Sequence, residues 1–488
     1  MKIVIEQENA IFAKILGPFD LIHEISDYFT FEVPSANFIK KRANMHSWDG
    51  KIRLLKRHKY LYVGLIPELL RFLERRGGVQ ATVNLDKFYK IHNYNEEYVS
   101  SWIKNEFGLP GKFVLRDYQH AIIENGIQEK RAVFLSATSS GKSLCIYGLT
   151  KFWFDHLEEP KILIIVPSIN LVTQLNSNFL EYGWKHPDLI SQYYYDSPLK
   201  SVNNPIIIST WQSACKWSRN VLSQFNVVIF DEVHVAKAKE ISKFLESVNN
   251  AHIRYGFTGT LDDVQMHHFI IEGLFGPKQE IINMSELIDQ GFATQLKVIP
   301  VAIKHSNVKE KGFFKYADEI RYIINNERRN KFLLTLASTL EGNTMILFER
   351  ISHGKTLYDM AKRLFPDKKV YLIYGETDGE LREQIRRATN SDFSGNTLII
   401  ASVQVFSVGV DIPTLKNLVL AHPTKSKIRL FQSIGRILRK HTIKEVCNFY
   451  DIGDDFRTEN QYTWHHFLKR LHYYISSGLK FKVKKIEL

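Results

Sequence analysis

The chain has 488 residues, 44% hydrophobic and 24% charged, a balance that excludes a disordered or fibrous protein and a length that allows about three domains. No apolar run reaches the roughly 18 residues that cross a bilayer, and MKIVIEQENA at the start carries acids where a secretory leader is apolar, so a cytoplasmic protein is expected and a membrane partner is not. The net charge of +13 favours a polyanionic partner, and the widely spaced Cys145, Cys215 and Cys447 read as reduced thiols rather than a disulfide frame or zinc site.

Residues 1–110 read as a small α+β domain. Short strand-like runs, KIVIE, KIRLL and YLYVGLI, surround one helical run, PELLRFLERRGG, which opens at Pro67 and stops at Gly77-Gly78. This region also holds the densest basic cluster, Lys40, Lys41, Arg42, Lys51, Arg53, Lys56, Arg57 and Lys59. Cations with few interrupting acids suit a phosphate backbone, so Lys40, Lys41, Arg42, Lys51 and Arg53 are candidate nucleic-acid contacts. Trp48, in their midst, is expected in the core.

Residues 111–280 alternate strand and helix. RAVFLSA, KILIIVPS, PIIIST and NVVIFDE are apolar almost throughout, as strands of a parallel sheet covered on both faces are, and SINLVTQLNSNFLEYG is a helix between two of them. Between the first strand and the next helix lies SATSSGKS. A strand-to-helix turn aims backbone N–H groups and the positive end of a helix dipole at one point. Gly141 permits close approach there, Lys142 reaches β- and γ-phosphates, and the Ser143 hydroxyl suits Mg²⁺. Ser136 stands where the full phosphate-loop pattern has its first glycine. NVVIFDEVH then sets Asp231 and Glu232 at a strand end. Asp231 is a candidate Mg²⁺ ligand through water, and Glu232 a candidate base for the attacking water. His234 is a candidate link from this site to the second α/β half or to polynucleotide. Thr173, Thr210 and Gln212, at helix and strand ends, are candidate backbone contacts or caps.

A second α/β series occupies residues 281–458, with LKVIPVAI, TMILFER, KVYLIYG, TLIIASV, NLVLAH and VCNFYDI as its strands. QSIGRILRK sets Gln432, Arg436 and Arg439 four and three residues apart, which predicts one helical face. Arginine is the preferred cation where charge develops on a transferred phosphoryl group. Residues 459–488 read as a basic aromatic helix and an extended end, with Trp464, Lys469, Arg470, Lys480, Lys482, Lys484 and Lys485 as further candidate contacts.

In order and spacing, these segments resemble the motifs of superfamily 2 helicases and translocases. LRDYQ resembles the adenine-reading motif, SATSSGKS the phosphate loop and VPSINLVTQ the motif after it. STWQS resembles a DNA-contacting motif, followed by DEVH and TGT. ASVQVFSVGVDIP and QSIGRILRK resemble the last two motifs. WDGKIRLL, SHGK, AHPTKSKI and SIGRILRKH extend the likeness to the phage UvsW-type recombination helicases, nearly end to end. The resemblance implies two tandem RecA-like domains, an ATP site using Mg²⁺, and a host-cell cytoplasmic location. Nucleotide contacts would fall on Arg116, Gln119, Thr138, Ser139, Ser140, Gly141, Lys142 and Ser143, with Gln119 reading adenine. Gly409 and Asp411 would touch nucleotide or couple it to DNA, and Arg436 and Arg439 would reach the γ-phosphate across the cleft. Two departures stand out: Ser139 where many relatives have glycine, and Leu438 where RNA helicases commonly have one. The activity implied is ATP-driven remodelling of branched DNA, including unwinding, annealing, fork regression and Holliday-junction migration, by a monomer acting on branched, duplex and single-stranded DNA. Two alternatives share the residues: an RNA helicase, and a passive nucleic-acid-binding or annealing protein with a vestigial ATPase.

Overall fold

A computed structural model describes the chain except residues 35, 37–38, 41–47, 84–93, 196, 198–200, 307–314, 393–395, 409–411, 443 and 457–460. It divides into two compact units. Met1–Ser136 and Gly141–Ile281 form the first, and Ala137–Ser140 with Ile282–Leu488 the second.

The N-terminal residues build a four-stranded sheet in the spatial order Tyr60–Tyr62, Phe12–Leu16, Lys2–Gln7, Gln80–Val83. The first three strands run antiparallel and the last pairs parallel. Alternation sends Ile3 and Ile5 inward and Lys2 and Val4 out. Helix Ile66–Arg76 opens with a proline in its first turn and ends at Gly77, whose φ of 72° is the left-handed C-cap glycine tolerates. The inward face of this sheet does not close a core of its own. Ile3, Ile5, Leu61 and Leu69 belong to one buried cluster with Val133, Leu163, Ile207 and Phe230 of the adjoining parallel sheet. The Arg131 guanidinium, 1% exposed, donates to Ala10 O at 2.8 Å. Lys56 Nζ and the Tyr62 hydroxyl both reach Glu246 Oε1 at 2.6 Å. The closest approach is at Gly64, where a Cβ would meet Glu272 O at 2.0 Å; Gly273, next along that helix, is covered by the Tyr62 ring. The small mixed-sheet N-terminal domain expected here is present, and its core is continuous with that of the first α/β unit.

That unit holds a seven-stranded sheet in the order Lys278–Ile282, Arg131–Ser136, Ile253–Thr258, Val227–Asp231, Ile162–Val166, Ile206–Thr210, Ile190–Tyr193. Its last six strands are mutually parallel. The second unit holds seven parallel strands in the order Lys369–Ile373, Thr397–Ser402, Thr344–Phe348, Asn417–Leu420, Val446–Asp455, Gln295–Lys304, Lys484–Glu487. These are two tandem RecA-like domains.

The C-terminal segment forms the helix and extended end expected, but one of its cations is buried. Lys484–Glu487 pairs with Val301–Lys304 as an edge strand. Helix Tyr462–Ser476 buries Arg470 completely, its guanidinium spread over Asp451 at 2.7–2.9 Å and the carbonyls of Thr424 and Ile452. Arg470 is a structural ion-pair partner and is withdrawn as a nucleic-acid contact. Glu319, also buried, accepts from the backbone N–H groups of Tyr462 and Thr463 and so caps the same helix. Among the described residues, no helix is long and apolar enough to cross a membrane.

Candidate functional site

The parallel register brings the site together at one edge of the first sheet. Leu135 pairs with Thr258, Phe257 with Asp231, Phe230 with Ile165, and Val166 with Thr210. The phosphate loop, the acidic pair, the Thr-Gly-Thr turn and the STWQS segment therefore all leave the sheet at the C-terminal ends of neighbouring strands, where open α/β sheets bind ligands.

Strand Arg131–Ser136 is nearly all buried and runs into the loop, and helix Lys142–His156 begins after Gly141. Gly141 has φ 85°, and a Cβ on it would lie 2.5 Å from Gln119 Nε2, so both conformation and space demand glycine. Gln119 is 3% exposed. Its Oε1 accepts from Arg116 N at 3.0 Å, satisfying the N-cap backbone of helix Asp117–Glu129. The Arg116 guanidinium donates to the Tyr118 hydroxyl. Ser139 carries φ 72°, which explains why glycine is common there: the loop needs a left-handed residue. Ser140 is buried and Thr138 half-buried. Lys142 Nζ donates to Ser136 O at 3.3 Å, folding back toward the strand end. Ser143 Oγ shares a 2.9 Å hydrogen bond with the Tyr182 hydroxyl. Tyr182 went unnoticed in the sequence; it is the last aromatic before Gly183, just past helix Ile169–Glu181.

At the acidic strand end, burial and the neighbouring Glu232 push the Asp231 carboxyl up to about 6, against the pull of Lys142. Carboxylate and hydroxyl oxygens suit a hard divalent cation, so Ser143 and Asp231 fit Mg²⁺ in donor type. Among the described residues no group of three His, Cys, Asp or Glu side chains is arranged to hold a metal alone, which leaves the remaining positions to water and phosphate. Glu232 has φ 55° and heads the 3-10 turn Val233–Lys237. Its Oε2 lies 3.2 Å from His234 Nδ1 and 3.4 Å from Thr258 Oγ1, and His234 Nδ1 is 3.1 Å from the same hydroxyl. His234, the candidate link from this site, ties Glu232 to the Thr-Gly-Thr turn. A second tie runs beside it. Asp262 accepts from Lys237 and lies 2.8 Å from His267 Nδ1. Burial alone would raise its carboxyl, but hydrogen bonds from His267 and Lys237 hold it far below the usual range. Its position two residues after the turn was the available signal.

In the second unit, Gln432 and Arg436 lie on helix Lys427–Ile437. Arg439 does not, which corrects the single helical face expected for all three. The helix stops at Ile437 because Lys444 Nζ takes Ile437 O at 2.8 Å, and Thr294 takes Leu438 O and Arg439 O. The Arg436 guanidinium sits over the Phe406 ring at 5.9 Å. Gly409 and Asp411 lie outside the described residues.

The candidate nucleic-acid contacts separate by exposure. Lys51 is exposed and Lys40 half-buried; Lys41 and Arg42 lie outside the described residues. Arg53 pairs with Asp49 at 2.6 Å on the surface. Trp48 is not in the core: it is half-buried, and its indole N–H caps Lys51 O at 2.9 Å. Thr173 and Gln212 are exposed, although Thr173 Oγ1 donates to Asn170 O within its helix. Thr210 is 5% exposed and donates to Ser213 Oγ at 3.1 Å, so its hydroxyl is used internally rather than as an outward contact.

A phosphate turn, a carboxylate pair linked to a Thr-Gly-Thr turn, and a second parallel-sheet unit with an arginine-bearing helix, in that order along the chain, define a superfamily 2 helicase. Three family models match: type III restriction enzyme, res subunit, over residues 112–263; helicase conserved C-terminal domain over 328–441; and DNA helicase UvsW, N-terminal, over 3–79. The ATP-dependent DNA helicase uvsW of Enterobacteria phage T4 is 31% identical over 447 residues, spanning 88% of this chain and 86% of that protein. The chain belongs to the UvsW helicase family. A crystal structure of T4 UvsW matches with a TM-score of 0.52 and 27% identity over 100% of both chains. A DNA 3'-5' translocase, XPB2 of Sulfurisphaera tokodaii, is 22% identical across 68% of this chain and 80% of its own length.

Proposed function

We propose that this protein is an ATP-dependent DNA helicase that remodels branched DNA, working on forks, four-way junctions and duplex and single strands as a monomer in the host-cell cytoplasm. The observation that carries the reading is the gathering of the Gly141-Lys142-Ser143 turn, Asp231-Glu232 and Thr258 at adjacent strand ends in a chain of this family. Lys142 binds the β- and γ-phosphates, with the loop residues Thr138 to Gly141 offering N–H groups, and Arg116 and Gln119 face the adenine. Ser143 and Asp231 would hold Mg²⁺, which when bound neutralises phosphate charge. Glu232 takes the proton of the attacking water, oriented by His234 and Thr258. Arg436 and Arg439 are the proposed cations for the γ-phosphate, with Gln432 beside them. ATP and its products differ by the bond to that phosphate, and a ligand shifts a conformational equilibrium only through such a difference. Exposed Thr173 and Gln212 of the first unit, with Lys40, Lys51 and Arg53, are the proposed DNA contacts.

The test is the ATPase rate with single-stranded, duplex, forked and four-way DNA and with RNA of matched length. The expected outcome is strongest stimulation by branched DNA, loss of turnover in Lys142→Ala, and ATP binding without turnover in Glu232→Gln. Preference for RNA would replace the substrate assigned. Undiminished remodelling by Glu232→Gln would make the protein a passive annealing factor.

A further inference from the structure

In the N-terminal domain, three rings form an exposed array. Phe19, the first residue of helix Phe19–Tyr28, is 75% exposed. The helix is anchored by Leu21, Ile22 and Ile25, so this ring contributes little to the core. Its centroid is 4.3 Å from that of His23, edge to face, and His23 is 5.4 Å from His58. Both histidines are exposed.

His58 is presented by an unusual turn. The hairpin closes through Lys56 N to Tyr60 O at 2.7 Å and Lys59 N to Lys56 O at 3.1 Å, and Lys59 O is held by Ile15 N at 2.7 Å. Its two central residues, Arg57 and His58, have φ of 51° and 52°. Two successive left-handed residues are what a tight primed hairpin turn requires, and asparagine and glycine normally supply them. Here two large side chains occupy the tip instead, at a conformational cost that the fold sustains through the flanking bonds. Lys56 turns inward to Glu246, whereas Arg57 stands exposed at the tip and Lys59 lies over Tyr60. The nearby acids are largely committed: Glu24 is bound by Arg76, and Asp20 sits in the first turn of the helix, where a negative charge favours the dipole.

We propose that Phe19, His23 and His58, with Arg57 and Lys59 beside them, form a platform on which unpaired bases at a DNA branch stack. Flat rings bordered by cations are what single-stranded nucleic acid binds, since rings meet base faces and cations meet phosphates. Bases within a duplex are already stacked on each other, so the platform selects the unpaired nucleotides of a fork. Because the sheet shares its core with the first α/β unit, the platform travels with the phosphate loop's parent sheet. The proposal rests on the branched-DNA reading and names its branch-sensing surface.

The experiment uses the full chain and a fork carrying 2-aminopurine at its unpaired branch position, with the same probe inside a plain duplex as control. Expected for Phe19→Ala are loss of most of the branch-probe fluorescence change and about 10-fold weaker fork binding. Duplex affinity, the melting temperature and DNA-independent ATP hydrolysis stay as in the parent, and Phe19→Trp restores fork binding. A Phe19→Ala protein equal to the parent on forks, or weakened equally on fork and duplex, overturns the platform. Absence of any DNA-stimulated ATP hydrolysis in the parent would instead overturn the helicase reading.

Discussion

At Gly141, conformation and crowding make the same demand. An alanine must adopt φ 85° and place its Cβ against the Gln119 amide. Gly141→Ala is expected to cut ATP turnover about 100-fold, the range seen when a preorganised donor is displaced, as steady-state hydrolysis will measure. Thr258 is the hydroxyl shared by Glu232 and His234. Thr258→Val keeps the shape and removes that link, so kcat should fall about 10-fold with ATP affinity little changed, as expected of a group that orients a general base. The kcat-against-KM split is the check. The placement of the phosphate turn and of Asp231-Glu232 at strand ends was legible in the sequence because each follows directly on an apolar run that only a buried strand accounts for. The partners of these residues were not. Tyr182 comes from a segment 39 residues beyond Ser143, and the Lys237 that holds Asp262 lies 25 residues before it, so only the fold brings these partners together.

Among elements, apolar strands announced themselves, while strands that bury charge did not. Ile253–Thr258, a central strand that carries the Thr-Gly-Thr turn, was missed as one because Arg254 and Gly256 interrupt its apolar run. Arg254 is fully buried, and its guanidinium donates to the carbonyls of Val248 and Leu245. A buried cation held by main-chain carbonyls is invisible to hydropathy. The C-terminal helix was foreseen, but the burial of Arg470 within it was hidden for the same reason: its charge is spent on Asp451. Arg470→Met leaves that carboxylate buried without its cation and should cost about 3–5 kcal/mol, read by urea denaturation. Asp454 supplies a pH test. Burial alone would raise its carboxyl, yet Arg329 and His305 hold it at about 2 against an ordinary 3.8. A depressed folded-state value adds stability that is complete above about pH 4 and disappears as the pH falls toward 2. The urea midpoint should therefore drop through that window, and Asp454→Asn should flatten the drop while lowering the midpoint at neutral pH.

For the molecule as a whole, composition and βα alternation were enough to foresee two parallel-sheet domains, because fully apolar strands at regular intervals fit little else. That the N-terminal sheet would merge into the first of them was not legible. Its closest contacts fall at Gly64 and Gly273, whose lack of a side chain lets the Gly64 backbone meet the Glu272 carbonyl and the Tyr62 ring lie on Gly273. Gly64→Ala forces a methyl group into the carbonyl of Glu272 and is expected to destabilise by about 1–3 kcal/mol, the usual cost of overpacking, lowering the melting temperature. This seam also bears on how such motors diversify. A graft of the first eighty or so residues onto an unrelated RecA-like engine would arrive with its greasy underside bare. Only recipients that already own a matching notch could accept the appendage, so a chimera stands or falls on two missing methyl groups rather than on the linker that joins the pieces.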